Sequence, residues 1–222
     1  NKIIFNSEWS KSQFLTNLDK LYHHSKKLKV IHQSTNKVSK NIFKKEKIIT
    51  FVGKLNSAKG YDLFGKSVTK ILKKYKDWSA IVVGDEPREN IVFDHPRLKI
   101  IGFQKHANVL KIYNKTSIAV VCSRWQEPFG RTSLEAASRG SAVIISKRGG
   151  LPETSKSAII LKELTSNNLF LEIEKLIKNK KNLLKFQKKN YNEFIFNYYY
   201  ISYLIDNIRS PTNNYLSEIL PA

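Results

Sequence analysis

Residues 117–146 read SIAVVCSRWQEPFGRTSLEAASRGSAVIIS. The stretch opens on an apolar run, "SIAVVC" (117–122), and passes through a polar loop that closes on Pro-Phe-Gly. "RTSLEAASR" (131–139) follows as a helix, and "AVIIS" (142–146) as a second apolar run. Short apolar runs alternating with helices form βαβ units, whose parallel strands are buried on both faces.

The alternation continues on both sides. Upstream, "KIITFVG" (47–53), "WSAIVVG" (78–84) and "LKIIG" (98–102) read as strands. "YDLFGKSVTKILKKY" (61–75) is a helix with Leu63, Val68, Ile71 and Leu72 on one side, and "HANVLKIYNK" (106–115) is another. Downstream, "SAIIL" (157–161) supplies a sixth strand. The fold class is therefore α/β: a Rossmann-like parallel sheet sandwiched by helices, with right-handed crossovers.

The flanks read differently. Residues 1–33 carry a strand, a helix over 7–22 with Ser10 and Gln13 in a capping-box relation, and a strand at 27–33. They read as the remnant of a preceding domain. Residues 34–46 are a polar, Lys-rich linker, and 47–180 hold the sheet. Residues 181–210 are expected to form a C-terminal helix, apolar all round and carrying Tyr198, Tyr199 and Tyr200, that packs back towards the preceding domain. Residues 211–222 are a tail. The 222 residues contain no methionine and begin at Asn1, so we read the chain as a piece of a longer one.

Bulk properties bound the function. No apolar run reaches the roughly 18 residues of a membrane-spanning helix. One cysteine, Cys122, excludes an internal disulfide framework and fits a reducing, cytoplasmic compartment. The formal charge is +21, yet only seven of the 39 basic residues are Arg. Phosphate and base readers favour Arg for its bidentate fork. A solvated Lys-rich surface accounts for the charge better than a nucleic-acid site, and an anionic membrane face is the other partner it suits.

Glycines or polar turns follow the apolar runs: Gly53-Lys54, Gly84-Asp85, Gly102-Phe103, Arg124 to Gly130, and Gly149-Gly150. Ligands of open α/β sheets bind beyond the carboxyl ends of the strands, so these turns converge on one candidate edge. "GKLNSAKG" (53–60) puts Lys54 and Lys59 around a helix start, which suits a diphosphate, but it is not a P-loop. On spacing alone the two lysines read better as surface residues. Glu127 and Glu135 flank the Pro-Phe-Gly-Arg turn. Glu135 also completes a capping box with Thr132, and Glu127 could be a plain loop residue. No His or Asp cluster stands near the pair to complete a metal shell. His23, His24, His32, His95 and His106 lack ligand spacing, and Cys122 reads as a small buried hydrophobe.

"RWQEPFGRTSLEAASRG" (124–140) resembles the signature of retaining glycosyltransferases of family 4: two Glu separated by seven residues, Phe-Gly between them, Glu-Ala and Gly after. "FVGKLNSAKG", "IVVGDEP", "IIGFQKHANVLKIYNK" and "KRGGLPE" resemble further pieces of that family in the same order. The resemblance covers roughly 45–200 and implies the C-terminal half of a GT-B fold, with a nucleoside diphosphate sugar as donor and no metal cofactor. It implies that Glu135 binds the donor ribose. By the same resemblance Glu127 would meet the transferred sugar near the reacting carbon, and Lys54 and Lys59 would neutralise the diphosphate. Gly53 and Gly84 would line the donor site, Phe103 and Gln104 would flank the base, and Phe129, Gly130 and Arg131 would offer backbone amides. Gly149 and Gly150 would border sugar and diphosphate. The implied acceptor is a saccharide or lipid-linked saccharide of the cell envelope. The sequence departs from the family at Lys54, where Arg is usual, and at Glu86, where Gly is common.

Overall fold

A computed structural model of the chain describes residues 2–16, 18–20, 23–37 and 44–209. The tail at 211–222 and part of the 34–46 linker lie outside them. Six parallel strands form the main sheet: β3 (Glu46–Val52), β4 (Ser79–Val83), β5 (Leu98–Ile100), β6 (Thr116–Val121), β7 (Ala142–Ile145) and β8 (Ile159–Ile160). Their spatial order is β5-β4-β3-β6-β7-β8. The chain thus winds outward in one direction from β3, then returns to pair β6 on the other side of β3, as in a doubly wound Rossmann sheet. β3 is the pivot, with Ile49 opposite Ala80 on β4 and opposite Ile118 on β6.

Alternation along the strands feeds two cores. Ile49 and Phe51 of β3, Ile118 and Val120 of β6, and Ile144 of β7 face α2 (Tyr61–Lys74) and α5 (Ser166–Lys178). Ala119 and Val121 of β6 and Val143 and Ile145 of β7 face α3 (His106–Lys115) and α4 (Arg131–Ser138). Both faces are covered, so every residue of β6 and β7 is buried, and both strands are apolar apart from Thr116 and Ser117 at the start of β6. The predicted face of α2 is buried as expected, Leu63, Val68, Ile71 and Leu72 included. Each such side chain contributes about 1.5–3 kcal/mol on burial.

The N-terminal segment carries a second, two-stranded sheet. β1 (Ile3–Phe5) pairs in parallel with β2 (Leu28–Val30), and α1 (Glu8–Leu15) lies between them in sequence. The capping residue of α1 is Ser7, whose Oγ accepts from Ser10 N; the expected pairing of Ser10 with Gln13 is not the cap. α1 also ends at Leu15, earlier than the 7–22 helix expected.

The expected single C-terminal helix is two, α6 (Lys180–Asn192) and α7 (Tyr198–Arg209). Between them Phe194 and Phe196 pack beside Phe129, the Phe196 ring also meets His32, and the Phe196 carbonyl accepts from Thr35 N (3.1 Å), contacts that hold this segment outside the helix. On α7, Ile201 is buried while Tyr198, Tyr199, Tyr200 and Tyr203 are exposed. Among the described residues, no helix is long and apolar enough to cross a membrane.

Candidate functional site

The sheet reverses its winding between β3 and β6, so a crevice opens beyond their carboxyl ends. Two loops meet there. The loop after β3 runs from Gly53 to Gly60, and the loop after β6 from Cys122 to Gly130. Ala58 O accepts from both Arg124 N (2.8 Å) and Trp125 N (3.0 Å). Gly60, at φ 75°, presses against Cys122, where a Cβ would sit 2.0 Å from the Cys122 carbonyl oxygen. Arg124 grips Asp62 with the two terminal guanidinium nitrogens, Nη1 and Nη2 (2.6 and 2.8 Å), holding the Asp62 carboxyl below its usual range. Cys122 is buried, with its thiol pushed up to about 12 by burial, so it is a packing group.

Across this junction Lys59 Nζ donates to Glu127 Oε1 at 2.5 Å. The structure therefore brings together two residues that sequence spacing left 68 positions apart. Two of their supports, Asn56 and Glu86, are buried. Asn56 Oδ1 accepts from Lys59 N (2.9 Å), and Asn56 Nδ2 donates to Glu86 Oε2 (3.1 Å). Arg88 donates to both oxygens of Glu86 (2.6 and 2.8 Å) and holds that carboxyl down to about 2, against the opposing effect of burial. Glu86, the departure from the family pattern, thus fastens the loop after β4 to the loop after β3. Sequence reading missed Asn56 and Arg88, since nothing local links them to position 59.

Lys54 is exposed and has no partner among the described residues. Gly53 donates to Val83 O (3.0 Å) and Gly84 to Gly102 O (2.9 Å). Gly84 sits at φ 128°, and a Cβ there would meet Gly53 O at 1.9 Å, so the loops after β3 and β4 approach as only glycine permits. Phe103 is 76% exposed at the rim, and Gln104 Nε2 donates to Ile101 O. Gly149 N donates to Gln126 Oε1 (2.6 Å) and Gly150 N to Glu127 O (2.7 Å). These glycines hold the Glu127 loop from behind. The Phe129 ring is buried against Leu134, Phe194 and Phe196, which leaves only its backbone for the crevice.

Gly130 precedes α4 in a left-handed conformation (φ 113°), and no side chain caps the helix, so its first-turn amides remain for an anion. The capping-box reading of Glu135 is corrected here: Thr132 lies inside the helix, and the carboxylate turns away from the backbone. Its Oε1 accepts from Arg131 Nε (2.7 Å) and His106 Nε2 (2.8 Å), and the side chain is 3% exposed. His106, set aside as a metal ligand, belongs to this site through α3. Among the described residues, no group of three His, Cys, Asp or Glu side chains is placed to hold a metal ion.

A second cluster ties residues 2–33 to the same edge. Glu153, after the Gly149-Gly150 turn, accepts from Glu8 N (2.7 Å), Trp9 N (2.9 Å) and His32 Nε2 (3.0 Å). Ser7 and Ser10 hydroxyls donate to Pro128 O.

Comparison with known proteins was made on this background. A family model described as "Glycosyl transferases group 1" matches residues 32–193. The "Spore coat protein SA" of Bacillus subtilis is 29% identical over 121 residues, covering 49% of this chain and 32% of that protein. The "Lipopolysaccharide core biosynthesis mannosyltransferase LpsB" of Rhizobium meliloti is 29% identical over 120 residues, covering 49% and 33%. The chain thus spans about a third of the length of these curated relatives. Among solved structures, Anabaena Alr3699/HepE in complex with UDP-glucose superposes with a TM-score of 0.77 at 18% identity, over 95% of this chain and 64% of that one. That likeness shows the fold.

Proposed function

This chain belongs to the group 1 glycosyltransferases, and on that premise we propose that its crevice binds a nucleoside diphosphate sugar. The sugar is transferred to an acceptor with retention of anomeric configuration, the family 4 chemistry that the motifs resemble. The observation that carries the reading is the Lys59–Glu127 contact across the junction of the loops after β3 and β6. It sets a cation for the diphosphate beside a carboxylate for the sugar. In transfer, the bond between the sugar's anomeric carbon and the diphosphate breaks, and a bond to the acceptor oxygen forms. Negative charge grows on the departing diphosphate. Lys59, the unpartnered Lys54 and the amides at the start of α4 stabilise it without a metal. Glu135 accepts from the ribose hydroxyls.

HepE's complex with UDP-glucose supports a nucleotide-sugar donor here. The matched lipopolysaccharide mannosyltransferase supports an envelope saccharide or lipid-linked saccharide as acceptor. The basic surface suits work in the cytoplasm against an anionic inner membrane face. A second reading follows from the chain spanning about a third of its relatives. On that reading the chain binds donor but does not turn over by itself.

Calorimetric titration with UDP, GDP and ADP, beside Glu135→Gln, tests the proposal. Selective binding of one nucleotide, lost in the variant, is the expected result. A folded chain that binds none of them would sink it. Turnover assays with nucleotide sugars then separate enzyme from binding module.

A further inference from the structure

Glu135 is held by two groups that use the same oxygen. Arg131 Nε and His106 Nε2 both donate to Oε1, and Oε2 accepts no hydrogen bond among the described residues, the buried Arg139 guanidinium adding only an electrostatic contact. A carboxylate offers only acceptors, so the histidine nitrogen facing it is the donor. Two donors fill the two lone pairs of Oε1. Oε2 keeps its full accepting capacity, although the side chain as a whole is 3% exposed.

The origins of the two donors matter. Arg131 is the first residue of α4 and reaches Glu135 one turn along the same helix. His106 is the first residue of α3 and stands directly after the Gly102 to Lys105 turn. That turn bears the exposed Phe103 at the rim of the crevice. His106 therefore fixes Glu135 to the segment beside which a base would lie. Its own side chain is 48% exposed, so it is not a core residue that happens to meet a carboxylate.

We propose that His106 is a positioning residue for donor recognition: with Arg131 it claims Oε1 of Glu135 and so presents Oε2 to the ribose hydroxyls. The proposal rests on the reading of Glu135 as the ribose-binding group. Ribose specificity then depends on a histidine that itself touches no substrate atom. Without it the carboxylate gains a rotational choice, and Oε1 is left to Arg131 alone.

The test uses the whole chain and three nucleotides, UDP, GDP and ADP. The one that binds is compared with its 2′-deoxy and 3′-deoxy forms by calorimetry. Wild type is expected to prefer the ribose form over at least one deoxy form by about tenfold or more, the scale of one hydrogen bond to a charged group. Glu135→Gln is expected to lose that preference. His106→Ala should cut it at least severalfold while binding the deoxy forms as wild type does, which also reports that the variant is folded. His106→Gln, whose side-chain amide donates in place of Nε2, should restore it. If His106→Ala keeps the preference that Glu135→Gln loses, the inference is overturned and the ribose reading stands. If wild type shows no preference, or no nucleotide binds, the ribose reading falls and takes the inference with it.

Discussion

Lys59 Nζ lies 2.5 Å from Glu127 Oε1, and the two residues come from loops on either side of the point where the sheet reverses its winding. Neither loop alone contains a site. Their meeting sets opposite charges in contact, with the Lys59 side chain 32% and the Glu127 side chain 13% exposed. Lys59→Ala is expected to weaken binding of a nucleoside diphosphate by about 10–100-fold, the loss of one charge-assisted contact of about 1.5–3 kcal/mol. Binding of the bare nucleoside should change little. Calorimetry with both ligands checks this, and equal losses for the two would remove Lys59 from the diphosphate site.

Glu86 and Glu174 predict the acid side of the stability curve. Contacts with Arg88 and with Lys74 respectively hold their carboxyls down to about 2, from an ordinary 4.5. A carboxyl depressed in the folded state contributes stability above its unfolded value and loses it as pH falls through the folded one. Stability should therefore drop between pH 4.5 and 2. Urea midpoints measured across that range should fall less steeply for Glu86→Gln. An unchanged slope would mean that Arg88 does not hold this carboxyl in solution.

Gly149 and Gly102 make a matched pair. Both sit at positive φ (57° and 66°), so each Ala substitution costs about 1–2 kcal/mol in backbone strain. Gly102 has open space around it, whereas a Cβ on Gly149 would fall 2.1 Å from Glu127 O. Gly149→Ala should therefore cost at least about 1 kcal/mol more than Gly102→Ala. Thermal denaturation of the two variants decides the point, and equal costs would show that the Glu127 loop yields freely.

Glu153 ties α1 to the main sheet's edge by accepting from Glu8 N and Trp9 N. Glu153→Ala removes an N-terminal helix partner worth about 1 kcal/mol. Amide exchange in α1 should accelerate roughly fivefold, while β6 and β7 keep their protection. Uniform acceleration throughout the chain would instead place residues 2–33 in the same cooperative unit as the sheet.

Much of the fold was legible because it obeys local rules. Apolar runs such as "SIAVVC" and "AVIIS" require cover on both faces, and the turns after them mark the carboxyl edge of the sheet, where open α/β sheets in general take their ligands. The α6–α7 break was not legible. Phe194 and Phe196 are helix-compatible residues, and the groups that hold them outside a helix, Phe129, His32 and Thr35, lie far away in sequence.

The sequence by itself determined the α/β class, the six main strands and the list of candidate residues, since periodicity and turn chemistry act over a few positions. Tertiary structure decided which of those residues meet. Glu135 had an equally good local reading as a cap until α3 brought His106 to it, and Lys59 read as a surface lysine until Glu127 met it. Glu86 became a fastener only because Asn56 and Arg88 converge on it. Contacts between chain segments tens of residues apart depend on how strands order themselves in a sheet, and no local pattern carries that information.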